Sequence, residues 1–264
     1  LTGPGTPHPP VLCARQLALG YRNKVLCDQI SFDLYRGELL AVVGHNGSGK
    51  STLIKTLLGV LPPLGGTLAW GSDARNQIAY LGQITEFDRR FPIRVRDLAA
   101  MGAWPSLGLL GTLNRARRRA VHQALERVGL ADIAMQPIHE LSSGQLQRAL
   151  FARTLVQDAP LILLDEPFAA VDQTTEENLL DLIGAWVAEG RAVMLVLHDL
   201  TAVLNHASKA VLLGRGQARF GSPQSVLTPE NLIEHGYMSA SQADWMHAMY
   251  NADAPPIQRR LRRV

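Results

Sequence analysis

Nine consecutive residues, Gly44 to Thr52 (GHNGSGKST), carry the clearest chemistry in the chain. They satisfy G-x-x-x-x-G-K-[ST], a pattern in which backbone N–H groups wrap a phosphate chain. Gly44, Gly47 and Gly49 let those groups converge, with His45, Asn46 and Ser48 between them. The start of the following helix adds its positive end. Lys50 is placed to reach the β- and γ-phosphates and Ser51 to ligate Mg²⁺, and the whole run from Gly44 to Thr52, with Thr52 included, is expected to bind the nucleotide. The chemistry this predicts is binding of a nucleoside triphosphate with Mg²⁺.

A second group lies far along the chain in LILLDEP, Leu161 to Pro167. Its apolar residues read as a central strand that delivers Asp165 to the C-terminal edge of a sheet, where α/β proteins bind ligands. Asp165 is expected to hold Mg²⁺, and the adjacent Glu166 to polarise an attacking water. Successive strand side chains point to opposite faces, so the strand has to turn here for both to act.

The elements that must position these groups follow from apolar spacing. Strands are expected within Val11 to Phe32, then at Glu38 to Val43, Thr67 to Trp70, Gln77 to Leu81, Leu161 to Leu164, Ala192 to Leu197 and Lys209 to Leu213. An amphipathic helix carrying Leu53, Leu57 and Leu58 leaves the phosphate loop. From Val95 to about Ala134 the pattern is mostly helical, with Val121, Leu125 and Val128 on one face. Thr174 and Glu177 read as a capping box ahead of Leu179, Leu180, Ile183, Trp186 and Val187. Strands alternating with helices imply an α/β fold around a largely parallel sheet.

Composition bounds the function class. The chain has 264 residues, 47% hydrophobic and 19% charged, with a formal net charge of +3. Mean hydropathy is +0.03 and the pI about 9.1. No apolar run approaches a membrane span, and LTGPGTPHPP lacks the basic start and apolar centre of a signal peptide. Cys13 and Cys27 have no zinc spacing and are expected to be reduced thiols. The basic excess is local, at Arg115, Arg117, Arg118 and Arg119 and at Arg259, Arg260, Arg262 and Arg263, and reads as a solvated helix face and a tail.

A third motif names a family. LSSGQ, formed by Leu141, Ser142, Ser143, Gly144 and Gln145, resembles the LSGGQ signature of ABC-type ATPases. Order and spacing resemble that family's nucleotide-binding subunits over nearly the whole chain. The resemblance implies a P-loop NTPase fold of ABC type: a largely parallel core sheet, an antiparallel β portion and an inserted helical subdomain at about 95–158. It places an ATPase domain at 11–237; the Pro/Gly-rich residues 1–10 are expected to be disordered and the extension at 238–264 partly flexible. It also implies further roles. Tyr21 resembles the aromatic that stacks on adenine, and Gln83 the glutamine that contacts Mg²⁺ and senses the membrane partner. Asp172 resembles the D-loop aspartate, and His198 the switch histidine at the γ-phosphate. Bland readings stay open: a packing tyrosine, a surface glutamine, a helix-starting aspartate and a core histidine. Ser143 stands where the family has its second glycine, and His45 where it often has proline; both are expected to be tolerated.

In this family two subunits meet head to tail around two ATP molecules, so a homodimer on ATP binding is expected. Glu166, His198, Lys50 and Gln83 are then the catalytic set, with Mg²⁺ held through Ser51, Gln83 and Asp165, and each signature serves the partner's ATP. A transport role needs separate membrane permease subunits and places the chain peripherally on the cytoplasmic side of the cell membrane. TEFDRRFPIRVRDLAAMG, GLADIAMQPIHELSSGQ and LLDEPFAAVDQTTEE resemble the zinc and manganese uptake branch, which implies an importer of a divalent metal ion, zinc ahead of manganese, with an extracytoplasmic metal-binding protein as an indirect partner. The alternatives are another cargo, such as an iron chelate, or a soluble ABC ATPase acting on nucleic acid. The chain lacks the coiled coil or second ATPase half of such soluble members, so no nucleic-acid partner is expected.

Overall fold

The computed structural model describes residues 9–22, 24–71, 77–83, 88–107, 113–169, 171–239 and 241–242. Most of the N-terminal segment and most of the C-terminal extension lie outside the described residues. Two sheets share the chain. The smaller has β1 (Leu12–Tyr21) at its centre, flanked by β2 (Lys24–Leu34) and β4 (Gly65–Trp70), all antiparallel. The larger runs β5-β6-β7-β3-β8-β9. Its first five members, β5 (Ile78–Leu81), β6 (Leu161–Asp165), β7 (Ala192–Val196), β3 (Leu39–Gly44) and β8 (Lys209–Gly214), are parallel.

Alternation along β3 divides the interior into two cores. Leu39, Ala41 and Val43 enter the one covered by most of the helices. Leu40 and Val42 enter the other, with residues of β1 and β2 and with Leu53, Ile54 and Leu57 of α1 (Lys50–Leu57). The helix that leaves the phosphate loop is therefore buried between the two sheets. Each of these leucines, fully removed from water, contributes roughly 1.5–3 kcal/mol, which fixes the first turn of α1 against β3.

The segment after β5 holds α2 (Val95–Ala100), a 3₁₀ turn, α3 (Arg115–Arg127) and α4 (Ser143–Gln157). Val121, Leu125 and Val128 are buried as their spacing predicts. α4 is joined to α5 (Gln173–Ala188) by a stacked pair, Phe151 and Trp186, with ring centroids 5.6 Å apart. After β7 come α6 (Leu200–His206), β8, β9 (Gln217–Gly221), α7 (Pro223–Val226) and α8 (Pro229–Glu234). Among the described residues no helix is long and apolar enough to cross a membrane.

Two expectations need correction. α5 begins two residues before the predicted capping box: Asp172 is the N-cap, accepting from the Thr175 amide at 2.9 Å and its hydroxyl at 2.8 Å. A carboxylate is a strong acceptor at a helix start and complements its dipole, so Thr174 is drawn into the helix and Glu177 accepts from the Gln173 side chain instead. β9, absent from the sequence reading, pairs antiparallel with β8. Arg215 (φ 47°) and Gly216 (φ 81°) form the two-residue turn between them, a conformation matched to tight hairpins. The strand is largely exposed, so it lacks the apolar run by which its neighbours are recognised.

Candidate functional site

The phosphate loop joins the C-terminal end of β3 to α1. Gly49 sits at φ 107° and Gly47 at φ 83°, in the half of backbone space that side chains disfavour. Gly44 answers a different need: a Cβ there would lie 2.3 Å from Ser48 Oγ and 2.5 Å from the Leu213 carbonyl. Ser48 N–H donates to the His45 carbonyl at 3.1 Å and so closes the loop. Asn46 and Gly47 are exposed, whereas Ser48, Gly49, Lys50 and Thr52 are buried and Ser51 half-buried.

Lys50 Nζ donates to the carbonyls of Gly44 at 2.8 Å and His45 at 3.2 Å. Burial pulls its ammonium below the usual lysine value, opposed by the carboxylates of Glu166 and Asp165. A cation tied back to its own loop and facing two carboxylates can exchange those carbonyls for phosphate oxygens. At the loop's other side Tyr21, at the end of β1 and 43% exposed, accepts a hydrogen bond from the Thr52 hydroxyl at 3.1 Å. An exposed ring beside the loop is free to stack, unlike a packing tyrosine.

β6 ends with Asp165 buried, and the next residue, Glu166, takes φ 50°. This left-handed residue is the turn at the strand end, and both carboxylates act electrostatically on Lys50. The Ala169 amide donates to the Glu166 carbonyl at 3.3 Å and closes the turn. Glu166 Oε1 lies 2.7 Å from His198 Nε2, at the end of β7. The His198 side chain is 46% exposed, so it is no core histidine. Gln83 follows β5 and is half-buried.

The signature forms the start of α4. Ser142 is its N-cap: the hydroxyl accepts from Gln145 N–H at 3.2 Å, and Gln145 Oε1 accepts from Ser142 N–H at 2.9 Å. Leu141 is buried behind them. A Cβ on Gly144 would lie 3.9 Å from Asp172 Oδ2, so Asp172 stands beside the signature as well as capping α5. Hydrogen bonds from Thr175, the backbone one foremost, hold its carboxyl below the usual range. The residue at the unusual position, Ser143, accepts from Arg89 Nη2 at 3.0 Å. Among the described residues no hydrogen bond or ion pair joins the signature to the phosphate loop.

Three contributors escaped sequence reasoning. Arg89 is one. Gln147, buried in α4, donates to the Pro167 carbonyl at 2.6 Å and so ties the signature helix to the turn that carries Glu166. Tyr237 donates to the His198 carbonyl. None lies in a local pattern; each is brought in by packing between distant segments.

A buried helix sandwiched between two sheets, a phosphate loop opening onto it, and a carboxylate pair at the end of β6, one strand removed from β3, define a P-loop nucleotide-binding ATPase domain. The family described as ABC transporter matches residues 27–169. The manganese transport system ATP-binding protein MntB of Listeria monocytogenes is 34% identical over 86% of this chain and 96% of its own length. The zinc transport system ATP-binding protein TroB of Treponema pallidum is 35% identical over 84% of each. A solved ABC transporter ascribed to the metal-chelate type, in an inward-facing conformation, superposes with a TM-score of 0.79 at 31% identity, covering 87% of this chain and 90% of that one. The chain belongs to the ABC transporter family, as an ATP-hydrolysing domain.

Proposed function

We propose that this chain is the ATP-hydrolysing subunit of an importer for a divalent metal ion, manganese or zinc, and that it works as a head-to-tail homodimer on membrane permease subunits. The observation that carries the hydrolytic part is the Glu166–His198 contact at 2.7 Å beside a buried Lys50. Glu166 orients and polarises the attacking water, His198 stands at the γ-phosphate end, and Lys50 neutralises charge as it develops. Phosphoryl transfer asks for this kind of positioning and charge stabilisation rather than covalent chemistry.

The donors Ser51, Gln83 and Asp165 are all oxygen ligands, the set that suits Mg²⁺. These residues would hold the ion beside the ATP phosphates, where it would supply positive charge to the transferring phosphoryl group. The signature is separate from its own phosphate loop, which supports the reading that Ser142 and Gly144 N–H groups serve the ATP of a second copy. Tyr21 stacks on the adenine and Gln83 reports to the permease. We assign 11–237 as the ATPase domain, with the helical subdomain at about 95–158, on the cytoplasmic face of the membrane with an extracytoplasmic metal-binding protein as the indirect partner.

Support for the cargo comes from the manganese and zinc relatives named above. The test is growth of a deletion strain in chelator-treated medium with zinc, manganese or iron restored separately. Rescue by manganese or zinc alone is expected. Rescue by iron, or indifference to all three metals, contradicts the cargo and leaves the ATPase intact.

A further inference from the structure

The loop that carries His198 is short and has few anchors of its own. On its N-terminal side the Leu197 amide donates to the Val42 carbonyl at 3.2 Å. On the other side Asp199 turns away to cap α6, accepting from the Thr201 amide at 2.8 Å. The His198 carbonyl accepts its hydrogen bond from the Tyr237 hydroxyl, 2.5 Å away and thirty-nine residues on. Tyr237 is itself fixed: its amide donates to the Leu232 carbonyl at 2.8 Å, past the end of α8, and its ring packs against the helical core.

The consequence is geometric. The His198 ring is nearly half exposed, so packing alone does not set its direction. Its reach to Glu166 depends on where the loop holds the His198 Cα, and the phenol pins the carbonyl next to that Cα. A loop released at that carbonyl is free to shift its Cα, which carries the imidazole out of hydrogen-bond reach of Glu166, and catalytic groups lose effect over about an ångström of misplacement.

We propose that Tyr237 is a positioning residue for ATP hydrolysis, orienting His198 over Glu166 from the segment that follows α8. The proposal rests on the reading that His198 and Glu166 serve hydrolysis. It also gives the C-terminal part of the chain a physical route to the site, since whatever moves Tyr237 moves the His198 peptide.

The test is a cycle of three variants of the purified full chain, Tyr237→Phe, His198→Ala and the double variant, assayed for ATPase activity and thermal stability. Tyr237→Phe keeps the ring and removes only the donor. It is expected to lower kcat about five- to tenfold, the order of effect of one lost positioning hydrogen bond. KM for ATP stays within about twofold, because His198 contributes to turnover more than to binding. In the His198→Ala background the same change is expected to have no further effect on kcat. Wild-type kcat in Tyr237→Phe overturns the proposal, as does an equal loss in both backgrounds, which marks a general structural effect. Full turnover in His198→Ala overturns the underlying assignment of His198, and is separable because it does not depend on Tyr237.

Discussion

His198 Nε2 stands 2.7 Å from Glu166 Oε1, so two residues from different strand ends meet in a single hydrogen bond. Glu166 reaches it only because its backbone takes φ 50° immediately after β6. A carboxylate held this way can accept a proton from, or orient, a water lying between it and the phosphate loop. His198→Ala is expected to lower kcat by about 10²-fold, the lower end for a positioned polar group, and to leave ATP binding intact. Steady-state ATPase assays alongside nucleotide titration check this; loss of binding in parallel would assign His198 to affinity instead.

Ser143 accepts from Arg89, so the residue that departs from the family signature has found a partner. Its hydroxyl is half-buried, and a single such bond is worth about 0.5–1.5 kcal/mol. Ser143→Gly is expected to change ATPase activity by less than about threefold and to lower thermal stability slightly. A gain of tenfold or more on restoring glycine would show that the serine slows the reaction.

The Phe151–Trp186 stack joins the signature helix to the helix capped by Asp172. Both rings are fully buried. Phe151→Ala is expected to destabilise the chain by about 3–5 kcal/mol, and Phe151→Leu by much less. Urea unfolding of the two variants distinguishes this from a solvent-exposed contact, for which both changes would cost under about 1 kcal/mol.

Cys27, in β2 opposite Leu19 of β1, is buried, and its thiol is pushed up to about 12, chiefly by burial. Two outcomes are expected. Alkylating reagents react slowly with it below pH 9, since the thiolate is the nucleophile. Stability also acquires a pH dependence. The folded value lies above the ordinary thiol value of about 9, so between the two the native state keeps its proton while the unfolded state loses it. The contribution is complete below pH 9 and is lost as pH rises from there toward 12, reaching about 1 kcal/mol by pH 10. Wild-type protein should lose stability relative to Cys27→Ala over that interval. Parallel pH profiles would contradict the assignment.

The phosphate loop, the Asp165 strand and the signature were legible because each is a contiguous run whose chemistry needs neighbours in sequence. The parallel strands were legible for a related reason: buried on both faces, they read as apolar runs. β9 was not, since an exposed edge strand keeps no such run. The start of α5 was misplaced because Asp172 and Thr174 both make plausible caps, and the choice falls to the better acceptor. The turn at Glu166 could be demanded from the sequence, yet its form, a left-handed glutamate, could not be read from residue type. Arg89, Gln147 and Tyr237 act through partners 54, 20 and 39 residues away. Contacts of that kind leave no periodicity behind, and only the packed chain reveals them.

The most direct measurement is mass in solution, with turnover, for Glu166→Gln with ATP and Mg²⁺ present. Light scattering is expected to show a shift from monomer toward dimer on adding ATP, with hydrolysis slowed by about 10²–10⁴-fold relative to wild type. Wild-type turnover in this variant, or a mass unchanged by ATP at saturating concentration, would contradict the assignment of Glu166 and the shared ATP site.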